Sequence, residues 1–204
     1  TSDFLGTDKN FVVNAYGTRS DNGGSSDNDK SYGVSAHYPN DSYVGELVYR
    51  VIEENFDPAL GFVQRNNVRM YRAGASYNPR PKSLWGIQQM FHDIFYTQFE
   101  RLDNGHIEST ELHITPLDYH FQSGDAIHAL FDYDRTYERL FEPFQISPGV
   151  ILQPGAYHNN RFKTTIASAR KRRVTAFINA SYGDFWSGTA EQISTTVTYK
   201  LPPK

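Results

Sequence analysis

The connections between strand-like segments alternate between short and long, and this rhythm constrains the fold more than any motif in the 204 residues. Tight turns are predicted at 39–42, 79–83, 123–124 and 171–172, where Pro, Asn, Gly, Ser and basic residues interrupt the segments. The remaining connections are mostly longer and irregular: 20–30, 53–67, 141–160 and 183–188. The sequence therefore predicts a sheet with tight turns along one edge and elaborate loops along the other.

Apolar and polar residues alternate within these segments, a pattern that favours β-strands over helices. The segment from Ala126 is the clearest case, with apolar Ile127, Ala129, Phe131, Tyr133 and Tyr137 on one phase and His128, Asp132, Asp134 and Glu138 on the other. The segment from Tyr43 to Val51 likewise sets apolar residues against Glu46 and Arg50. About ten antiparallel strands are predicted, an even number of the kind that single-chain outer-membrane barrels use.

The composition is compatible with a membrane protein of this kind. Mean hydropathy is only −0.60, but a porin-type wall needs apolar residues only at alternate positions and can line its lumen with charge. No apolar stretch approaches the roughly 20 residues of a membrane-spanning helix. The chain has no cysteine, which excludes a disulfide framework and thiolate metal sites. We therefore predict an all-β fold, an antiparallel transmembrane β-barrel located in a bacterial outer membrane.

Two segments depart from simple alternation. Between Trp85 and Phe99, apolar residues fall on both phases, so the lumen-facing side cannot be assigned there. Near Pro116 the apolar phase flips, which predicts a β-bulge. These middle strands also exceed the roughly 9 to 11 residues that cross a bilayer. In a barrel they would project beyond the membrane.

Aromatic residues stand near the ends of several segments and predict membrane-interface girdles. The candidates are Tyr38, Tyr43, Tyr71, Tyr77, Trp85, Tyr182 and Trp186. Aromatic residues are also common in strands of soluble proteins. The girdle interpretation therefore depends on the rhythm of the connections.

Four loop segments carry a family resemblance: NFDPALGFVQR at 55–65, LFEPFQI at 140–146, GVILQPGAY at 149–157 and GDFWSG at 183–188. In this order they resemble the C-terminal barrel region, domain of unknown function 5916, of proteins that carry a family-9-like carbohydrate-binding domain. The resemblance implies an outer-membrane barrel over residues 11–204, preceded by a lead-in at 1–10. It also implies that the barrel continues beyond residue 204 in a longer protein, with a glycan-binding domain ahead of it.

Catalytic and cofactor motifs are weak. His92, His106, His113, His120 and His128 fall on successive segments without the paired spacing of a metal site. Asp132, Asp134 and Glu138 share a phase and would suit glycoside hydrolysis if two of them converged, but alternating lumen charge also explains them. The loop with Asp21, Asp27 and Asp29 offers oxygen ligands for calcium but lacks EF-hand spacing. We expect no cofactor and no enzymatic activity.

The basic run at 170–173 could indicate nucleic-acid binding, but a turn at the membrane edge would hold such charges beside lipid phosphates. The formal net charge of −3 also argues against nucleic acid. The expected partners are outer-membrane lipids and, through a domain outside this chain, glycans. The sequence does not define an oligomeric state.

Three functions remain open at this point. The first is a non-enzymatic barrel that acts as a channel or as a membrane anchor for a carbohydrate-binding domain. Its lumen would be lined by Glu46, Arg50, His128, Asp132, Asp134 and Glu138. The second is a soluble β-sandwich that binds sugars with exposed aromatic residues, and the third is a barrel hydrolase acting on lipid or glycan. The sandwich hides its apolar face in a core, whereas the barrel exposes it.

Overall fold

A computed structural model describes residues 2–3, 11–21, 27–58 and 61–201, and every regular element in these ranges is a β-strand. The strands are β1 (Ser2–Asp3), β2 (Val12–Arg19), β3 (Lys30–Pro39), β4 (Tyr43–Ile52), β5 (Val68–Tyr77), β6 (Ile87–Arg101), β7 (Ile107–Phe121), β8 (Ala126–Leu140), β9 (Phe144–Ser147), β10 (Val150–Leu152), β11 (Gly155–Ala167), β12 (Val174–Phe185) and β13 (Gly188–Tyr199). In the described part of the chain, no helix has the length and hydropathy needed to cross a bilayer.

One large antiparallel sheet contains all the strands except β9 and β10, which form a separate hairpin. Its order is β1-β2-β3-β4-β5-β6-β7-β8-β11-β12-β13, so its strands follow one another in chain order, with only the β9–β10 hairpin inserted between β8 and β11. Ten of these strands are eight residues or longer, and β1 is a two-residue strand. The predicted all-β antiparallel fold is confirmed. Across the described residues the sheet is open, with β1 and β13 at its edges.

Tight turns join β3 to β4 and β7 to β8, as predicted, whereas the turn between β11 and β12 extends over 168–173 rather than 171–172. The β5–β6 connection is longer than predicted and covers 78–86. It ends on Trp85 and Gly86, both with positive φ (46° and 71°), and the Ile87 amide donates to the Leu84 carbonyl at 2.8 Å. These four connections all lie at one end of the strands, which we call the turn edge. The opposite end of the strands is the loop edge.

Two long loops of the loop edge were predicted wrongly. The segment 141–160 contains the β9–β10 hairpin and the start of β11 at Gly155. The segment 183–188 reduces to a two-residue turn, because Gly183 and Asp184 stay paired with Ala190 and Thr189 on β13. Asp184 Oδ2 also accepts bonds from the backbone and side-chain nitrogens of Asn160, both at 3.0 Å. These contacts override the turn preference of Gly and Asp.

Cross-strand pairing keeps the alternation in step and gives the sheet two chemically different faces. Direct partners lie on the same face, so the pairs Ala36–Leu47, Leu47–Ala73 and Tyr71–Tyr49 define one of them. This apolar face also carries Val34, Ala75, Ile94, Tyr96, Ile114, Tyr133, Phe162, Ile178, Tyr182, Ile193 and Val197. The polar face carries Ser35, His37, Glu46, Arg72, Thr97, His113, Asp134, Lys163, Asn179 and Gln192.

Exposure is inverted relative to a water-soluble sheet, which buries its apolar face. On the apolar face, Leu47 is 62% exposed, Phe162 50% and Val197 65%. On the polar face, only 10% of the Asp134 side chain is exposed. Buried hydrophobic residues in the described ranges are few: Val51, Phe56, Val68, Ile87, Ala126, Leu152 and Ala169. Ion pairs and hydrogen bonds, rather than an apolar core, fill the polar face.

Strand β6, whose phase the sequence left unassigned, places Phe95 on the polar face. The reason lies on β5, where Phe95 is paired directly with Gly74. A Cβ on Gly74 would stand 2.0 Å from the Phe95 ring, so the ring occupies the space that a side chain would take. The Arg72 guanidinium lies 4.9 Å from the centre of the same ring, a cation–π distance. A charged neighbour and a glycine together accommodate an aromatic residue there.

The bulge predicted near Pro116 is confirmed, because the β7–β8 register shifts between Ile114 and Tyr119. Proline has no amide hydrogen to give to a ladder, which suits this position. His92 Nδ1 lies 2.5 Å from the Pro116 carbonyl oxygen and gives it a hydrogen-bond partner. The bulge flips the phase, so Tyr119 joins the apolar face while Asp118 and His120 join the polar face.

Replacing Gly74 with Ala should destabilise the sheet by about 1 to 3 kcal/mol, the usual cost of overpacking. The new methyl group displaces the Phe95 ring and separates it from Arg72. The measurement is the free energy of unfolding from denaturant titration. Gly17→Ala on β2 is the control, since a Cβ there meets nothing within 4 Å. Equal stability of the two variants would contradict this account of β6.

Candidate functional site

The polar face of β4, β5 and β6 carries a compact charged group around Arg72. Arg72 Nε donates to Glu46 Oε1 at 2.5 Å, and Arg72 Nη1 donates to Thr97 Oγ1 at 3.1 Å. His37 Nδ1 lies 3.8 Å from the second oxygen of Glu46. Pairing β4 with both β3 and β5 brings these side chains together, because Glu46 lies directly opposite His37 and Gly74. The arrangement holds a cation and an anion in fixed positions on one face.

A second group, the Asp134 cluster, spans β7, β8 and β11 and consists of His113, Thr115, Asp132, Asp134 and Lys163. His113 Nδ1 lies 2.7 Å from Asp134 Oδ1 and 3.3 Å from Asp132 Oδ1. Lys163 Nζ donates to the other Asp134 oxygen. Thr115 Oγ1 donates to Asp132 at 3.2 Å and lies 3.0 Å from His113 Nε2. Each carboxylate in this cluster therefore has a nearby hydrogen-bond donor, and Lys163 balances one negative charge.

A third group forms where the β4–β5 connection folds over the polar face near the loop edge. Arg65 Nη1 donates to Ser109 Oγ at 2.7 Å and to Glu108 at 3.3 Å. Its Nη2 reaches Glu138 on β8 at 3.3 Å. The guanidinium also stands 4.9 Å from the Phe99 ring centre. One side chain from a loop thus ties together β6, β7 and β8.

Three further side chains converge close to the turn edge, and we call them the Asp118 triad: Asp118, His120 and His128. His120 Nε2 lies 3.2 Å from His128 Nδ1 and 3.1 Å from Asp118 Oδ1. His128 Nδ1 lies 3.4 Å from Asp118 Oδ2. The two imidazole rings are nearly perpendicular, at 88°. His120 and His128 also line a cleft of about 680 Å³ that extends to Thr175, Thr196 and Thr198.

All six lumen-lining candidates lie on the polar face, but they do not form one site. Glu46 binds Arg72, and the Arg50 guanidinium stands 5.9 Å from the Tyr16 ring centre. Asp132 and Asp134 share His113, His128 belongs to the Asp118 triad, and Glu138 is held by Arg65. The three carboxylates proposed as a hydrolytic group are therefore divided between two clusters.

The seven aromatic girdle candidates divide between the two edges of the sheet. Tyr38, Tyr43, Tyr77 and Trp85 lie towards the turn edge, while Tyr71, Tyr182 and Trp186 lie towards the loop edge. Tyr43 and Tyr77 stack at 5.0 Å. Trp186 contacts Tyr157 and Phe144, with ring centres 5.3 Å and 6.2 Å away, so part of its surface is covered by loop-edge neighbours.

The candidate calcium loop lies partly outside the described residues, because its middle at 22–26 is not described. Asp29 is buried and pairs with Arg19 Nε at 2.7 Å. The backbone oxygen of Asp27 accepts a bond from Asn55 Nδ2 at 2.7 Å. Within the described ranges, the groups of side chains that could hold a metal ion are the Asp118 triad and the set His113, Asp132 and Asp134.

The basic run at 170–173 forms part of the β11–β12 turn, which is anchored by Asp125 of the neighbouring turn. Arg172 Nη2 donates to Asp125 Oδ2 at 2.5 Å, and the Ala169 amide donates to Asp125 Oδ1 at 2.8 Å. Ser123 Oγ also donates to Asp125 Oδ2 at 2.7 Å. These bonds, that of Ser123 above all, hold the pKa of Asp125 below its usual value.

The members of these clusters that sequence reasoning missed are Arg65, Arg72, Asp118 and Lys163. Arg72 and Lys163 occupy the polar phase of their strands, and that phase is the only signal the sequence gives of them. Asp118 stands two residues from His120, a spacing that places both on one face of a strand. Arg65 lies in a loop, where no period indicates its direction.

No protein-family model matches the chain, and neither a curated protein nor a solved structure matches it. The resemblance to the barrel region of domain of unknown function 5916 therefore stays a prediction.

The link between Asp125 and the β11–β12 turn should weaken in acid. Because the folded-state pKa of Asp125 is lowered, its contribution to stability is present above the unfolded pKa and is lost as pH falls through the folded value. Hydrogen exchange should show that protection of the Ala169 amide decreases once the pH is lower than about 4. In Asp125→Ala, protection should be low at every pH.

The Ser168 amide is the internal control, because it donates at 2.9 Å to the Ala176 carbonyl, which does not titrate. Its protection should not follow the titration of Asp125. If the Ala169 amide stays equally protected in Asp125→Ala, the carboxylate does not anchor this turn.

Proposed function

We propose that this chain forms wall strands of a transmembrane β-barrel in a bacterial outer membrane and acts as a channel for polar solutes. The polar face lines the lumen, and the apolar face contacts lipid. The observation that carries the proposal is the inverted exposure of the sheet, with large apolar side chains outside and ion pairs inside. In water such a face is costly, whereas lipid solvates it.

The order of residues on the apolar face supports a membrane position. Aromatic residues form two rows, one near the turn edge and one nearer the loop edge, with aliphatic residues between them. The first row comprises Tyr38, Tyr43, Tyr77, Tyr119 and Tyr199, and the second comprises Tyr49, Tyr71, Tyr96, Tyr133, Phe162 and Tyr182. Two aromatic girdles flanking an apolar band are typical of outer-membrane barrels.

Charge on the apolar face lies at the second aromatic row, where Glu191 is opposite Tyr182, and beyond it. Arg69 pairs there with Glu100 at 3.0 Å, and Arg135 and Arg139 follow Tyr133 on β8. From Tyr43 to Val51, strand β4 extends about 27 Å, which at a tilt of 35–45° rises about 20 Å. This is close to the roughly 25 Å apolar band of such barrels. The extra length of β6, β7 and β8 then projects past the membrane.

The polar face supports a channel because its charges have both signs and fixed positions. Arg72 with Glu46 and Lys163 with Asp134 occupy the wall, and Arg65 reaches across from the loop edge. In a barrel, the Arg65 side chain would narrow the mouth of the lumen. In a barrel, the two edges of the open sheet, β1 with β2 on one side and β13 on the other, would have to be paired.

The two alternatives gain less support. A sandwich needs a second sheet over the apolar face, and in the described ranges the other sheet is only the two-stranded β9–β10 hairpin. A hydrolase needs two free carboxylates at one bond, but Asp134 is engaged by Lys163 and His113, and Glu138 by Arg65. The channel therefore remains the proposal that the contacts favour.

Adjacent single-cysteine labels should distinguish lipid from lumen, and the chain has no native cysteine to interfere. A spin label at Leu47→Cys, on the apolar face, should be accessible to oxygen and protected from a water-soluble nickel complex when the protein is in membrane vesicles. A label at Val48→Cys, on the polar face, should show the reverse. Water accessibility at both positions would reject the membrane wall and favour a soluble sheet.

Replacing Asp132 and Asp134 with Asn should shift ion selectivity towards anions in planar-bilayer recordings. The change removes two negative charges and leaves Lys163 without its carboxylate. Asp41→Asn is the control for loss of a negative charge away from the proposed path, because Asp41 lies at the β3–β4 turn and pairs there with exposed Arg80. If the double variant conducts with unchanged selectivity, these residues do not line the path. If the wild-type protein does not conduct at all, an anchoring role is favoured over a channel.

A further inference from the structure

The Asp118 triad forms because the bulge at Pro116 places Asp118 and His120 on the same face as His128. Without the phase flip, Asp118 and His120 would share the face of Ile114 and point away from His128. With it, Tyr119 pairs with Ile127 and His120 pairs with Ala126. One further step in this register places Asp118 opposite His128. An irregularity in β7 thus brings together two imidazoles and a carboxylate that regular alternation would separate.

The distances within the triad match those between ligands of one metal ion. Zinc binds imidazole nitrogen and carboxylate oxygen at about 2.0 to 2.2 Å, and tetrahedral angles then place neighbouring ligand atoms about 3.3 to 3.6 Å apart. The three contacts of the triad, between His120 and His128, His120 and Asp118, and His128 and Asp118, are 3.2, 3.1 and 3.4 Å. The first two distances are slightly shorter than this range, so a small outward movement of the side chains would admit the ion.

The triad also leaves a polar atom without a hydrogen bond. Asp118 Oδ1 is buried and accepts no hydrogen bond in the described part of the protein, although His120 Nε2 lies 3.1 Å away. A buried, unsatisfied carboxylate oxygen is costly. A cation between the three side chains would satisfy this oxygen and both imidazole nitrogens at once.

The Asp134 cluster contains the same residue types but has a different electrostatic balance. Lys163 already donates to Asp134, and His113 Nδ1 approaches the same carboxylate to 2.7 Å, a hydrogen-bond distance. No lysine or arginine contacts the Asp118 triad among the ion pairs of the described residues. The positive charge that Lys163 supplies in one cluster is therefore missing from the other.

We propose that Asp118, His120 and His128 bind a zinc ion, with a fourth coordination position open to the cleft beside β12 and β13. Three protein ligands and one open position are typical of zinc sites that exchange a water or substrate ligand. The cleft of about 680 Å³ gives that position access to small molecules. The site does not depend on the proposed channel, since all three ligands come from β7 and β8.

The test is titration of the purified full chain with Co²⁺ and then with Zn²⁺. Co²⁺ reports four-coordinate geometry through its visible absorption, and displacement by Zn²⁺ gives the zinc affinity. We expect one ion per chain. His120→Gln, His128→Gln and Asp118→Asn should each weaken binding by at least about 100-fold, because even ligand-supporting residues are worth 10- to 100-fold.

His113→Gln is the matched control. His113 also lies on β7 and contacts aspartates, but it belongs to the Asp134 cluster. This variant should bind zinc with unchanged affinity. Far-UV circular dichroism checks that each variant keeps its strands, and Asp118→Asn preserves the side-chain shape. Absence of binding to the wild type, or equal loss in His113→Gln, would overturn the proposal, whether or not the chain proves to be a channel.

Discussion

Register between neighbouring strands is the constraint on which the rest of this structure depends. A slip of one residue would exchange the two faces of a strand and place a charge such as Glu46 on the apolar side, where Leu47 now lies. Direct pairing keeps the apolar residues of neighbouring strands on one face and their ion pairs on the other. The bulge at Pro116 preserves this separation where the phase of β7 changes. The charged groups thus follow from the pairing and also reinforce it, because each joins adjacent strands.

Local alternation predicted most of the long strands and the phase change near Pro116, and the rhythm of the connections predicted their antiparallel arrangement. Alternation was insufficient where the explanation lies on another strand. Phe95 could not be assigned to a face because the space for its ring is created by Gly74, 21 positions earlier in the chain but directly opposite. The segment 183–188 was misread for the same reason, since its pairing with β13 outweighs the turn preference of its residues.

The clusters were harder to predict than the fold. The sequence identified several of their carboxylates and histidines, but not the cations that complete them. Lys163 meets Asp134 only once β11 is paired with β8, and the bulged register between these strands cannot be counted from spacing. The Asp118 triad needs both the bulge in β7 and the pairing with β8. Clusters of this kind become visible only when two or more strands are aligned.

The order of the sheet also bears on how the chain folds. The strands of the sheet pair in chain order, with only the β9–β10 hairpin between β8 and β11, so most of the sheet can grow by adding one hairpin after another, with little entropy lost in closing loops. The Arg65–Glu138 pair is different, because 73 positions separate its partners. This contact must wait until β8 has joined the sheet. Arg65 therefore forms its contact with Glu138 late in folding, across strands that are already assembled.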